Sequence, residues 1–254
     1  MFAFDEYYQG VYGDRWQTLK QALFTPASKI SRSCFKGHAE YVLDGASIRA
    51  AVALQVQPGD QVLDLCAAPG GKSLILAEAL RGRGKLTVNE LSLPRRMRLK
   101  EVMETHVPDP LHPLFQITGF DGNQFGLKRA GDFDRVLLDA PCSSEQHLLL
   151  EDPEQKDWKI SRTKQLAQRQ YSLLCSAMLA LKSGGTLVYS TCSISPLEND
   201  GVVGRLLERK AEQVEIDSNC ADLQDLEKTT FGFQIFPDRA EGKGPIFIAR
   251  LRKK

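Results

Sequence analysis

The sequence predicts an α/β fold built on a doubly wound, parallel sheet. Short apolar runs alternate with longer helical stretches from Val62 onward, and each of the first five runs ends in a turn rich in Gly, Pro, Asp or Ser. The composition, 42% hydrophobic and 26% charged, is that of an ordinary globular protein, which excludes disorder and a fibrous chain. At 254 residues the chain is long enough to bury a large core.

The elements follow in order. Tyr8, Val11, Tyr12, Trp16, Leu19 and Leu23 recur at about helical spacing within residues 2–24, predicting an N-terminal helical element packed on the core. The stretch 25–40 is polar and basic, with Lys29, Arg32, Lys36 and His38, and a second helical pattern covers 46–54. Strands are expected at 61–65, 85–90, 115–118, 135–139 and 186–190, with a late one at 245–251. Helices are expected at 73–80, 94–104, 166–181 and 198–212. Between the fourth strand and its helix lies a long polar segment, 143–164, with Glu151, Asp152, Asp157 and Trp158; long loops after a strand's carboxyl end often carry function.

Charge is balanced, 33 Lys+Arg against 32 Asp+Glu, so nucleic-acid binding requires local basic surface rather than a net field. The apolar runs are too short for a spanning helix, and Asp5, Glu6, Asp14 and Arg15 interrupt the first 20 residues, so neither a signal peptide nor a membrane anchor is expected. The six cysteines contain no CxxC pair, which fits reduced thiols in the cytoplasm better than disulfides or zinc, and no metal is expected.

Ligands of open α/β sheets settle beyond the carboxyl ends of the strands. The first strand runs into Asp64-Leu65-Cys66-Ala67-Ala68-Pro69-Gly70-Gly71-Lys72-Ser73, small residues that permit close backbone approach and lead into a helix with unpaired N–H groups. It is not the ATP phosphate loop, because Leu65 stands where the first glycine is required. Glu90 ends the second strand, where a carboxylate can accept both hydroxyls of a ribose, and Asp121, before Gly122, is placed to accept from an adenine amino group. Each acid alone reads equally as a helix cap or a solvated turn residue. Together with the small-residue turn they favour an adenosine-containing cofactor.

The fourth strand delivers Asp139-Ala140-Pro141-Cys142-Ser143 and the fifth Ser190-Thr191-Cys192-Ser193, putting two thiols on the cofactor rim. A cysteine there is nucleophilic if its thiolate is stabilised and an inert small hydrophobe if it is buried. Cys34, Cys175 and Cys220, away from strand ends, read as inert.

These three runs resemble the signature motifs of the Nop/Sun (Fmu) family of S-adenosylmethionine-dependent RNA cytosine-C5 methyltransferases, over about residues 40–251 and in family order. Phe4-Asp5, Gly13-Asp14-Arg15-Trp16 and Gly244-Pro245 also resemble the short subgroup that includes the mitochondrial rRNA and tRNA enzymes. The resemblance implies a class I methyltransferase, Rossmann-like sheet, mostly parallel with an antiparallel C-terminal strand, in a catalytic domain at 41–254 preceded by a helical extension at 1–40. It implies Cys192 as the nucleophile at C6 of cytosine, Cys142 as the assistant of adduct breakdown, and Asp139 at the N3/N4 edge of the ring. It implies that Cys66, Ala67, Ala68, Pro69, Gly70, Gly71 and Lys72 wrap the methionine part of S-adenosylmethionine, with Lys72 also near the active site. Glu90 and Arg95 fall near the ribose, Asp121 and Gly122 near adenine, and Asp139 borders the cofactor as well.

Two departures stand out: Glu90 replaces the usual Asp, and Ser144-Glu145-Gln146-His147-Leu148 replaces a Gly-x-Gly with paired arginines. The implied partner is RNA, with rRNA or a ribosomal particle ahead of tRNA and a helper protein possible; the expected state is a monomer, in the cytoplasm or, for a eukaryotic source, the mitochondrion. Candidate RNA contacts are Arg32, Lys36 and His38, then Arg95, Arg96, Arg98 and Lys100, then Lys159, Arg162, Lys164 and Arg169 beside Trp158, which suits base stacking. The competing readings are a methyltransferase acting on a protein or small molecule, which has no use for paired cysteines, and a non-catalytic RNA-binding assembly factor, which has no use for an intact cofactor turn.

Overall fold

The computed structural model describes residues 3–156, 158–217, 220–240 and 242–254, so Phe2 and Asp157 lie outside the described residues. The chain opens with α1 (Phe4–Tyr12) and α2 (Trp16–Leu23). Next come β1 (Lys29–Arg32) and β2 (Tyr41–Asp44), an antiparallel pair with Ile30 opposite Leu43. The Asp44 carboxylate then accepts from the Ala46 N–H and so caps α3 (Gly45–Val52).

The main sheet is wound from β3 (Gln61–Asp64), α4 (Gly71–Ala79), β4 (Lys85–Asn89), α5 (Leu93–His106), β5 (Phe115–Thr118), α6 (Gly122–Lys128) and β6 (Phe133–Asp139). It continues through α7 (Glu145–Glu151), α8 (Ile160–Ala180), β7 (Leu181–Thr191), α9 (Asp200–Lys210), β8 (Val214–Ile216), β9 (Glu227–Lys228), β10 (Phe233–Ile235) and β11 (Ile246–Lys253). The strand order is β5-β4-β3-β6-β7-β11-β10-β9, with β8 on β11; the first five are parallel, and β11 runs antiparallel to β7. This is the expected mostly parallel sheet with antiparallel C-terminal strands. The order reverses between β3 and β6, and that is where the site lies.

Alternation along the strands feeds two cores. Val62, Leu137, Val188 and Ile248 point to the face covered by α3, α4 and α5, while Leu63, Val136, Leu138, Tyr189 and Phe247 point to the face covered by α6, α8 and α9. A third cluster joins Phe4, Tyr8, Trp16, Leu19 and Leu23 of the N-terminal helices to Leu149 of α7, Ile194 and Phe236. The predicted N-terminal helices therefore pack against the turn that follows β7.

Three expectations are corrected. Helix in the expected 1–40 extension is confined, apart from one 3-10 turn, to α1 and α2; residues 29–32 are a strand paired with 41–44, so a hairpin crosses the expected boundary. The polar segment 143–164 contains α7 and the first turn of α8, because Glu145 and Leu149 are buried on the N-terminal helices. Finally β7 begins at Leu181, not 186, because its start pairs with Phe133 across an irregular register.

Candidate active site

β3 ends at Asp64, and residues 65–70 turn into α4. Gly70 caps that helix with φ 119°, and a Cβ there would lie 2.9 Å from Val102 Cγ1, so glycine is required both by the backbone and by α5. Asp64 is fully buried: its Oδ2 accepts from Ser73 Oγ at 2.7 Å, while Oδ1 has no partner. Burial pushes its pKa up to about 7, with the Ser73 hydrogen bond opposing.

One cavity, about 780 Å³ of open space, runs from Leu65, Cys66 and Ala68 past Glu90 and Arg95 to Asp121 and Gly122, and ends at Asp139, Cys142 and Cys192. A neighbouring cavity of about 570 Å³ shares Cys66, Ala68 and Asp139 with it and is lined further by Tyr41, Ser47, Ala67, Pro69, Gly71 and Lys72. Gly70 lines neither cavity and instead packs on α5. Burial also pushes the Cys66 thiol far above its ordinary range, so this cysteine is wall rather than nucleophile.

Glu90 is buried against the first cavity. Its Oε1 accepts from the Ser92 N–H at 2.9 Å, and its Oε2 lies 3.4 Å from Arg95, whose other guanidinium nitrogen donates to the Ala68 carbonyl at 2.9 Å. Arg95 thus ties the small-residue turn to the end of β4. Asp121 caps α6, its Oδ1 accepting from the Asn123 backbone and side chain. A Cβ on Gly122 would come within 2.7 Å of Leu173, so the floor of the cavity admits no side chain there. Sequence reasoning missed Asn89, whose buried amide donates to the Leu65 and Phe120 carbonyls and accepts from Thr118 and the Phe120 N–H, locking three strand ends together.

At the other end of the cavity, Asp139 Oδ2 accepts from Lys72 Nζ at 2.7 Å and Oδ1 from Ser190 Oγ at 2.9 Å. Burial works against the Lys72 ammonium, but Asp139 outweighs it and holds the pKa above the ordinary value. The sulfurs of Cys142 and Cys192 are 3.1 Å apart, and Ser144 Oγ is 2.9 Å from Cys192 and 3.4 Å from Cys142. Cys192 is exposed, Cys142 partly covered. Their shared hydrogen bond splits the pair: Cys192 is lowered by donation from Cys142, with Ser144 and Lys72 adding to the effect, while Cys142 is raised. Burial and Asp139 oppose the lowering, and the net effect makes Cys192 the more acidic thiol of the pair.

Several expected RNA contacts are otherwise engaged. Trp158 packs edge-on to Phe4 with ring centroids 5.4 Å apart and beside Tyr7, which removes it as an open stacking platform. Arg32 pairs with Glu78, Lys100 with Glu104, and Arg96 donates to the Glu90 and Leu91 carbonyls. Arg169 lines the main cavity.

A parallel sheet with this strand order, a small-residue turn after its first strand and a cavity along the strand ends defines a Rossmann-like methyltransferase fold. Residues 51–252 match the family described as 16S rRNA methyltransferase RsmB/F, and the chain belongs to that family. It is 36% identical over 221 residues to the mitochondrial tRNA (cytosine(34)-C(5))-methyltransferase of Mus musculus, covering 84% of this chain and 63% of that protein. It is 37% identical over 227 residues to the 5-cytosine rRNA methyltransferase NSUN4 of Bos taurus, covering 83% and 59%. The chain thus spans about three-fifths of the length of these curated relatives. The fold is shared with a methyltransferase homolog protein from Pyrococcus horikoshii at TM-score 0.78 and 22% identity, covering 97% of this chain and 93% of that one.

Proposed function

We propose that this chain is an RNA cytosine-C5 methyltransferase that uses S-adenosylmethionine, with rRNA as the first-choice substrate and tRNA the second. The observation that carries the reading is the exposed Cys192 in hydrogen-bond contact with Cys142 at the end of a cavity walled by Glu90 and Asp121. Both relatives named above are cytosine-C5 methyltransferases of RNA by description, which supports the substrate class.

The residues present fit the cofactor. The cavity is of the size ligand pockets have, its floor at Gly122 is free of side chain, and buried Glu90 offers a carboxylate on its wall. Leu65, Cys66 and Ala68 would hold the sulfonium and methionine part, Glu90 and Arg95 the ribose, Asp121 and Gly122 the adenine. When bound, S-adenosylmethionine supplies an electrophilic methyl on a sulfonium.

C5 of cytosine is a poor nucleophile, so the Cys192 thiolate adds to C6 and makes C5 enamine-like. As C6 is attacked N3 takes up a proton from water, and Asp139, held by Lys72 and Ser190, accepts from that N3–H and from the exocyclic amine, so no negative charge is left on the ring. Once C5 is methylated the C5 and N3 protons pass to water, the C5–H electron pair closes the C5–C6 double bond, and the Cys192–C6 bond breaks to return the thiolate, which the Cys142 thiol 3.1 Å away assists by donating a hydrogen bond to the departing sulfur. The base must be flipped out of its stack to reach the thiolate, which costs least in a loop or single strand.

The test is transfer of labelled methyl to RNA by the wild-type chain and by Cys192→Ala, with bisulfite sequencing to locate the cytosine. Wild-type transfer and its loss in the variant are expected. Undiminished transfer by Cys192→Ala would point to a methyltransferase of another substrate class.

A further inference from the structure

Beneath the two cysteine turns lies a buried acidic network that the chemistry above does not use. Glu145 at the start of α7 and Glu198 before α9 are both fully buried. Neither is ion-paired with a Lys, Arg or His among the described residues. Glu145 Oε1 accepts from Tyr8 of α1 at 2.6 Å and from Ser193 Oγ at 3.0 Å, and its Oε2 accepts from the Ile194 N–H at 3.0 Å. Glu198 Oε2 accepts from the Ser143 N–H at 3.0 Å and from Gln170 of α8 at 2.6 Å. The Ser143 hydroxyl is hydrogen-bonded to Oε1 of both acids.

That hydroxyl has one proton for two carboxylates. Both contacts can be hydrogen bonds only if one of the acids carries a proton of its own. Two like charges in a buried site without a cation also favour keeping one proton. The groups facing the pair are Tyr7, Tyr8 and Tyr12 of α1, Ser143 and Cys142 of the turn after β6, Gln170 of α8, and Tyr189 and Ser193 of β7 and its turn, with no positive charge among them.

The two serines so held are the immediate neighbours of the two cysteines. We propose that Glu145 and Glu198, sharing one proton through Ser143, are positioning residues that clamp the Cys142 and Cys192 turns so that the two sulfurs stay in hydrogen-bond contact. The inference rests on the reading of Cys192 as nucleophile. It gives a role to Glu145 in the run Ser144-Glu145-Gln146, where this chain departs from its family's pattern, and it connects α1 to the site through Tyr8. Burial pushes the Glu198 carboxyl up to about 7, in line with a retained proton.

The test is the rate at which iodoacetamide alkylates Cys192 in the full chain, followed by peptide mass spectrometry between about pH 5.5 and 9, which needs neither RNA nor cofactor. Ser143→Ala and Glu198→Ala are expected to slow alkylation about tenfold at pH 7, through a midpoint raised by about one unit. Glu198→Gln, whose amide supplies the second hydrogen permanently, restores a rate within about twofold of wild type. In methyl transfer the alanine variants lower kcat and leave KM for RNA unchanged. Wild-type alkylation in folded Ser143→Ala, or Glu198→Gln as slow as Glu198→Ala, overturns the clamp; should Glu198→Ala fail to fold, Ser143→Ala against Glu198→Gln decides it. Methyl transfer retained by Cys192→Ala would instead remove the nucleophile and leave the alkylation result standing.

Discussion

At residue 192 the local chemistry depends on a proton held elsewhere. A cysteine facing solvent with no donor nearby is mostly thiol at neutral pH, and the contacts of Cys192 with Cys142 and Ser144 shift that balance toward the thiolate. In the proposed mechanism the same geometry makes Cys142 the group positioned to act once the ring has been methylated. Replacing Cys142 with Ala removes that second function and the largest support of Cys192 acidity but leaves Ser144 and Lys72, so addition to C6 slows while elimination stalls. The expected outcome is a denaturation-resistant protein–RNA adduct in Cys142→Ala, seen as an RNase-sensitive band shift on a denaturing gel. The cysteines and the small-residue turn were legible in sequence because each motif is a contiguous run at a strand end. Ser144, Asn89 and Glu145 were not, since their significance lies in partners 24 to 137 residues away.

Away from the site, a buried cation ties β11 to the end of α3 and to the segment between β8 and β9. Arg250 of β11 is fully buried, donates to the Ala53 carbonyl after α3, and pairs with Asp222 at 3.0 Å and Asp217 at 3.0 Å. Removing an acid leaves the guanidinium buried with half its compensation, whereas removing the arginine leaves no buried charge and two carboxylates that water can reach. Asp222→Ala should therefore cost about 3 kcal/mol in urea unfolding and Arg250→Met distinctly less. A larger loss in Arg250→Met would show that the hydrogen bond to α3 dominates. The strands of the parallel sheet were readable because both faces are covered, giving continuous apolar runs. The β1–β2 hairpin was not, because β1 has no buried residue and β2 has only Leu43, so no apolar alternation marks them. Helix α7 hid in a polar segment because one of its two buried side chains is a glutamate.

The molecule as a whole stores unfavourable charge burial along the strand ends. Asp64 and Glu198 are both pushed up to about 7 by burial, above their values of 3.8 and 4.5 in an exposed chain. A carboxyl whose folded pKa is raised contributes stability that is fully present below its unfolded pKa and is lost as pH rises through the folded one. The thermal midpoint is thus expected to fall between about pH 4 and pH 7, and Asp64→Asn should flatten part of that slope while keeping the Ser73 hydrogen bond. An unchanged slope in Asp64→Asn would place the pH dependence elsewhere. These acids sit where the cofactor turn and the cysteine turns need fixed geometry, so stability is traded for position at the site. The most direct measurement of the central claim is peptide mapping of the adduct formed by Cys142→Ala with RNA and S-adenosylmethionine. A nucleotide attached at Cys192, absent from the Cys142→Ala/Cys192→Ala double variant, is the predicted result; attachment at any other residue, or none despite methylated RNA, would contradict it.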